Sequence, residues 1–254
     1  MKPPPDTTGL YGLCKSFVKS QGPLWGENGR NPSKYSAIYR VLSGRFWRVL
    51  TKVRPSAYNR REVFSKEGGR AALRHRGTVR LETPRLFLRP LGLDDCHAMF
   101  ETWAGDPQVT RWLRWQAHRD WTVTAEILYL WQQQAGEPAF YNWGICRRQD
   151  GALLGSISLA PPGEDGMWMP GYCLGRAFWG QGYACEALRE VCRFWFEEVQ
   201  GDSLCACHAV ENPASGRVLE KAGFRFLRTG VHRKFDGTPV DCRFYRLNRE
   251  DLTL

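Results

Sequence analysis

The chain has 254 residues, 43% of them hydrophobic and 13% aromatic with eleven Trp, and carries a formal net charge of +10. That composition supplies a core for one ordinary domain with additional chain. No run approaches the ~18 to 20 apolar residues of a membrane span, and no signal-type apolar stretch stands near the N-terminus. Nine cysteines without the framework of a small disulfide scaffold point to reduced thiols and a cytoplasmic setting.

The charge is unevenly placed. Residues 1–80 hold 17 Lys+Arg against 4 Asp+Glu, and the remainder holds 19 against 22. The basicity therefore belongs to an N-terminal extension, residues 1–78, in which Gly and Pro recur and hydrophobic periodicity is poor. This extension is expected to be disordered. Its best helical candidate runs from Tyr35 to Val53, with Ile38, Leu42, Phe46 and Val49 at helical spacing. A basic arm for RNA, a membrane or a ribosome, or an Arg-rich transit segment, are the functional alternatives. The rest of the chain, 79–254, reads as a single domain that excludes a membrane role and leaves nucleic acid to the extension alone.

From Thr78 onward the texture is that of a mixed α/β domain. "RLFLRPL" (85–91) alternates like a strand, and "LDDCHAMFETWA" follows as a helix with Asp94 or Asp95 as its cap. A second helix is predicted over 120–135. "AFYNWGICRRQDGALLGSISLA" reads as two strands around a turn at Gln149-Asp150-Gly151. "MWMPGYCLG" (167–175) is a further strand, and "FWGQGYACEALREVCRFWFEE" (178–198) is a glycine turn opening an amphipathic helix. Its apolar stripe is Ala184, Leu188, Val191, Trp195 and Val199. "SLCACHAV" (203–210), "PASGRVLEKA" (213–222) and segments 224–229 and 240–247 complete the chain as strand, helix, strand and strand. The strands either side of the 178–198 helix form one crossover unit, so they are expected to be parallel neighbours.

The turn "WGQGYA" is the first chemical signal. Glycines at a helix N-terminus let backbone approach a ligand, and the free N–H groups with the helix dipole favour an anion such as a phosphate. The second signal follows at Asn212, where "NPASGRVLEKAGF" starts with an N-cap, has Pro213 at the first helical position and ends at Gly223. Together "GYCLGRAFWGQGYACEALREV" and "NPASGRVLEKAGF", with "TPRLFLRPLGLDD" before them, resemble the GNAT acetyltransferase superfamily and its Rim-type branch of N-acetyltransferases. The resemblance covers about residues 80–250.

The resemblance implies a mixed, mostly antiparallel sheet with a splayed parallel strand pair and flanking helices. It implies acetyl-CoA as co-substrate, its pyrophosphate held by Trp179, Gly180, Gln181, Gly182, Tyr183 and Ala184. Its pantetheine arm would run along the main chain of Tyr172, Cys173 and Leu174 and past Asn212, with Lys221 near the phosphates. The implied chemistry is direct attack of a neutral amine on the thioester. Many members carry a Tyr acid in "LYEK"; here "VLEK" puts Leu219 at that place, and the Rim-type N-x-x-S pattern points instead to Ser215. The Glu base of many relatives is replaced by Met169, so His208 is the expected substitute, with Glu211 a weaker one.

Other readings of these residues remain open. Ser215 also suits a plain helix-capping role, and His208 a structural one. Cys205, Cys207 and His208 invite a metal, yet no second ligand pair stands at zinc spacing, so none is expected. The acceptor implied by the Rim-type branch is a protein or peptide N-terminus, such as a ribosomal protein's. A small amine (aminoglycoside, polyamine or amino-acid derivative) is the alternative, with Glu164 and Asp165 placed to attract a cation. A non-catalytic acetyl-CoA sensor is the reading from a different class.

Overall fold

A computed structural model describes residues 72–162 and 166–252. The Tyr35–Val53 helix and the Glu164-Asp165 pair lie outside the described residues.

Strands β1 (Leu81–Glu82), β2 (Leu86–Pro90), β3 (Tyr141–Arg147), β4 (Leu153–Ala160) and β5 (Met169–Leu174) form an antiparallel sheet in that order. Strands β6 (Ser203–Ala209), β8 (Pro239–Asn248) and β7 (Arg225–Arg233) form a second, ordered β6-β8-β7. Central strand β3 is buried at every position from Tyr141 to Cys146 because both its faces are covered. On one face lies helix α4 (Tyr183–Glu197), in a core with Leu86, Leu88, Tyr141, Trp143 and Ile145, and helix α5 (Pro213–Lys221) packs beside it on β6. On the other lie short helices α1 (Cys96–Met99) and α2 (Pro107–Thr110) and the longer α3 (Trp121–Gln134), packed on Leu91, Cys146 and Leu153.

The predicted stripe of α4 is its buried face: Leu188, Val191, Trp195 and Val199 are enclosed, together with Ala187, Cys192, Phe194 and Phe196. The predicted capping aspartate acts differently from expectation. Asp95 accepts from the Gly92 N–H behind it at 2.9 Å and takes the Arg89 guanidinium at 2.6 and 2.7 Å. It thereby ties the end of β2 to the first helical turn. The segment it starts is also not one α-helix, because a π-type turn spans Phe100–Ala104.

Among the described residues the two sheets share one bridge. Trp168 and Leu204 form an isolated parallel bridge, with the Cys205 N–H donating to the Trp168 carbonyl at 3.0 Å. The next residue of β5 to face β6 is Pro170, since strand residues alternate in the direction of their main-chain groups. Proline has no N–H to extend the ladder, so pairing stops there and β5 and β6 diverge into a wedge. The expected parallel neighbours are thus joined at their base and splayed above it.

The domain also begins earlier than residue 79. The Arg74 N–H donates to the Val199 carbonyl at 2.8 Å, and the Gly77 N–H to that of Pro138 at 2.7 Å. His75 packs between Trp168 and Tyr141 with its Nδ1 2.8 Å from the tyrosine hydroxyl. No helix among the described residues is long and apolar enough to cross a membrane.

Candidate functional site

The wedge offers main-chain groups with nothing of β6 opposite. The Gly175 N–H donates to the Leu154 carbonyl, and by alternation Cys173 and Gly171 also turn their main chain toward β4. Tyr172 and Leu174 therefore present theirs to the wedge. Cys173, expected beside them, does not: its main chain faces Ser156, and its thiol lies 3.4 Å from the Ser156 hydroxyl. The Leu174 carbonyl is itself satisfied by the Trp179 indole N–H at 2.8 Å. Trp179 thus closes the end of β5.

Beyond Trp179, the turn places Gly180 and Gly182 in the left-handed region at φ +74° and +83°, where a side chain would be strained. Gly182 is the N-cap of α4 and supplies no side chain to its first N–H groups. A Cβ at Gly180 would meet nothing within 4 Å, so the space before the helix is open. Tyr183 is buried, with the Arg85 guanidinium over its ring at 4.6 Å. Ala184 is half-buried, and Gln181 folds back to donate to the Ala177 carbonyl at 2.8 Å.

A clamp not foreseen from the sequence holds this turn. Glu186 accepts from the Thr83 hydroxyl (2.6 Å), the Arg85 N–H (2.9 Å) and the Arg85 guanidinium (2.7 Å), while Arg85 also donates to the Gln181 carbonyl at 3.0 Å. Burial alone would raise the Glu186 carboxyl, but these donors outweigh it and its pKa lies below the ordinary value. The open turn, its missing cap and the helix dipole fit a pyrophosphate.

Across the wedge, α5 begins at Asn212, whose Oδ1 accepts from the Ser215 N–H at 3.3 Å. The capping is done by Asn212, leaving the Ser215 hydroxyl for other work. That hydroxyl lies 2.9 Å from the Tyr172 hydroxyl, which also donates to the Ser215 carbonyl at 3.1 Å. Burial pushes the Tyr172 hydroxyl well above its ordinary pKa, with Ser215 offsetting part of the effect, so it keeps its proton. The two hydroxyls bridge β5 and α5 at the mouth of the wedge. This contact joins residues 43 apart in the chain, and no local pattern announces it.

His208 is placed elsewhere. It is buried at 6% exposure under α5, where a Cβ on Gly216 would sit 2.6 Å from its Nε2. Its Nδ1–H donates to the Ala209 carbonyl at 2.7 Å, and its Nε2 lies 3.2 Å from the Tyr245 hydroxyl, which is also 3.3 Å from Glu220. Both nitrogens are engaged within the core, an arrangement of packing rather than of proton exchange with an open cleft. Glu211 is exposed at the turn after β6. Lys221 is exposed at the far end of α5, where its carbonyl accepts from Arg189. On the opposite face of β6, burial pushes the Cys207 thiol up to about 12, so it is no nucleophile at neutral pH. Among the described residues no group of three or more His, Cys, Asp or Glu is placed to hold a metal ion.

The profile of the Acetyltransferase (GNAT) domain matches residues 85–225, more than half of the chain. An uncharacterized N-acetyltransferase, YoaA of Bacillus subtilis, is 28% identical over 171 residues, spanning 66% of this chain and 95% of the relative. Another, p20 of Bacillus licheniformis, is 24% identical over 175 residues, spanning 67% and 97%. Among solved structures, a GNAT-family acetyltransferase from Bacillus anthracis shares the fold at a TM-score of 0.60 and 20% identity, covering 68% of this chain and 99% of that one. A ribosomal-protein-S5-alanine acetyltransferase from Vibrio fischeri does so at 0.57 and 14%, covering 69% and 100%.

Proposed function

Because the chain belongs to the GNAT acetyltransferase family, we propose that it moves an acetyl group from acetyl-CoA to a primary amine by direct attack within a ternary complex. Acetyl-CoA supplies the activated acyl group as a thioester. The glycine turn from Trp179 to Ala184 takes the pyrophosphate on the first N–H groups of α4, clamped by Glu186 and Arg85. The main chain of Tyr172 and the N–H of Leu174 line the wedge for the pantetheine arm and the thioester oxygen, an N–H there offsetting the charge that oxygen gains. The Asn212 side-chain amide keeps its donor for the same arm. Lys221, at the exposed end of α5, lends charge toward the phosphates.

The observation that carries the reading is the Tyr172–Ser215 hydroxyl pair across the wedge. Ser215 donates its proton toward the departing sulfur while the Tyr172 hydroxyl supports it. His208, enclosed under α5, holds that helix in place. The acceptor loses its proton before attack: an α-amino group with pKa near ~8 does so readily, whereas a lysine amine near ~10.4 needs a base. An amino terminus of a protein or peptide, a ribosomal protein among the candidates, is therefore favoured over a lysine side chain or a polyamine. The thiol state of the described cysteines suits a cytoplasmic enzyme. Any nucleic-acid contact belongs to the basic residues 1–78, of which 74–78 hydrogen-bond to the domain.

Calorimetric titration of acetyl-CoA into the full-length chain tests the reading. Micromolar binding with competition from free CoA is expected, and Gly182→Asp, which places a carboxylate at the N-terminus of α4, should abolish it in a folded protein. Undiminished affinity in that variant refutes the assignment. Binding without acetylation of any amine would instead favour an acetyl-CoA sensor.

A further inference from the structure

Cations in this domain fall into two groups. Around the first sheet they are neutralised, as in Arg89–Asp95, Arg147–Asp150 and Arg176–Asp106. Around the tip of the β7–β8 hairpin they are not. Lys234 donates to the Arg111 carbonyl at 2.7 Å, Arg111 lies over the Trp112 ring at 4.5 Å and Arg114 over Phe235 at 4.4 Å. Carbonyls and rings hold Arg111 and Arg114 without cancelling their charge, whereas Lys234 has the Asp236 carboxylate within electrostatic reach. Residues 225–248 carry six Lys+Arg, one of them (Arg225) paired with Asp251 at 2.6 Å, against two Asp in a domain that is otherwise slightly acidic. Of those two, Asp236 is engaged by Gln116 and the Thr238 N–H. By the β7–β8 register, Asp241 pairs with Val231 on the face turned toward α5.

The position of these cations gives them a use. The Phe235 N–H donates to the Arg114 carbonyl at 2.9 Å, so the hairpin tip is clasped to the loop between α2 and α3. Beside the clasp is a pocket of about 310 Å³, lined by residues that include Arg111, Trp115, Gln116 and Lys234 and no carboxylate. Ser215, the glycine turn and the cores of α4 and α5 lie on one face of the wedge. The clasp lies on the other, where Cys207 is within electrostatic reach of Arg114. With α4 and α5 packed against the first face, we take the amine to approach a thioester held in the wedge from the second.

We propose that Arg111, Arg114 and Lys234 form an acceptor-binding wall that selects amino termini followed by acidic residues. This rests on the acetyl-transfer reading above and names its acceptor. A carboxylate one or two residues behind the amine would meet the Arg111 and Arg114 guanidiniums first, whereas polyamines, aminoglycosides and Lys-rich termini would meet like charge. The same cations disfavour an ammonium and so promote the neutral, attacking form of the amine, which is the work otherwise asked of a base. The imidazole facing this wall behaves accordingly: His232 is held below its ordinary pKa by burial and by Arg114.

The test uses full-length protein, acetyl-CoA and peptides that begin with Ala followed by two Glu, two Ser or two Lys, with spermidine as a small amine. Thiol release and, in parallel, anisotropy of the same peptides labelled at their C-termini are measured. The Glu peptide should exceed the Lys peptide at least tenfold in kcat/KM, with the advantage shrinking between 50 and 500 mM salt. Arg114→Glu, an exposed side chain with no hydrogen bond to lose, should reverse the order while acetyl-CoA affinity stays constant. Lys234→Gln, which keeps a donor for the Arg111 carbonyl, should halve the preference or more. Equal or better use of the Lys peptide or spermidine, or an order unchanged in Arg114→Glu, overturns the proposal. So does Arg114-dependent binding of a single-stranded RNA with no peptide bound. Selective binding of the Glu peptide without thiol release supports the wall and refutes catalysis, which separates the two readings.

Discussion

At the scale of single residues, the paired hydroxyls of Tyr172 and Ser215 make a demand that histidine 208 does not. A serine hydroxyl is a weak acid alone, and its usefulness depends on a neighbour that fixes its proton and returns it. Tyr172, half-buried, protonated and 2.9 Å away, is placed to be that neighbour. Ser215→Ala should lower kcat by about 100-fold, the lower end of the range for a positioned proton donor. Tyr172→Phe should lower it by about 3- to 10-fold, and acetyl-CoA affinity, read calorimetrically, should change little in either. His208→Gln should act on folding instead, losing about 1–3 kcal/mol in denaturant unfolding for its disrupted hydrogen bonds. Per-molecule activity of its folded fraction should remain. Ser215 was legible in the sequence through a motif within its own helix. The Tyr172–Ser215 contact is not legible because its partners lie in different elements, and the burial of His208 under α5 is not legible because a strand pattern does not show which helix covers which face.

At the scale of elements, the segments legible in the sequence are those whose periodicity was enforced by burial. Helix α4 has a full apolar stripe, α5 has both its stop signals, and the 149–151 turn sits between two apolar runs. What was not legible is where regular structure fails. The π-type turn at 100–104, which packs against β4, has no breaker residue within it to announce it. Pro170 carried a signal that could have been used, since a proline inside a strand has no hydrogen to donate on its paired side. Its position at the first missing rung makes it the device that opens the wedge. Pro170→Ala restores a donor where β5 begins to leave β6, and one more rung becomes available. The predicted result is a narrowed wedge: acetyl-CoA binding weakened about tenfold, with thermal stability equal to or above that of the parent. Unchanged affinity would mean that the divergence is set by α5 and Tyr172 alone.

At the scale of the whole domain, the strap of residues 74–79 joins the end of α4 to the start of β3. Besides the Arg74 and Gly77 bonds, the Trp143 indole N–H donates to the Val79 carbonyl at 2.6 Å and the Thr78 hydroxyl to that of Phe140 at 2.9 Å. A chain beginning at residue 79 loses most of these and His75 with them. At about 1 kcal/mol for each net hydrogen bond, the loss is about 2–4 kcal/mol, or about 5–15 °C in Tm for a domain of this size. A chain beginning at residue 72 should match the parent. The strap also carries a pH dependence of fixed sign. Burial holds the His75 imidazole below its ordinary pKa of 6.5, and it lowers that of His118 to about 4, where Nδ1 lies 2.8 Å from the Thr124 hydroxyl. Both rings are neutral in the fold and take up protons more readily once unfolded. Their stabilisation is therefore complete above about pH 6.5 and is lost as pH falls toward their folded values. Tm should decline from pH 7 to pH 5, and His75→Phe, which keeps an aromatic ring against Trp168, should flatten the upper part of that decline. His118→Asn should flatten the lower part, and because the two rings share no partner their effects should add. A Tm that rises on acidification in the parent chain would contradict the burial of both.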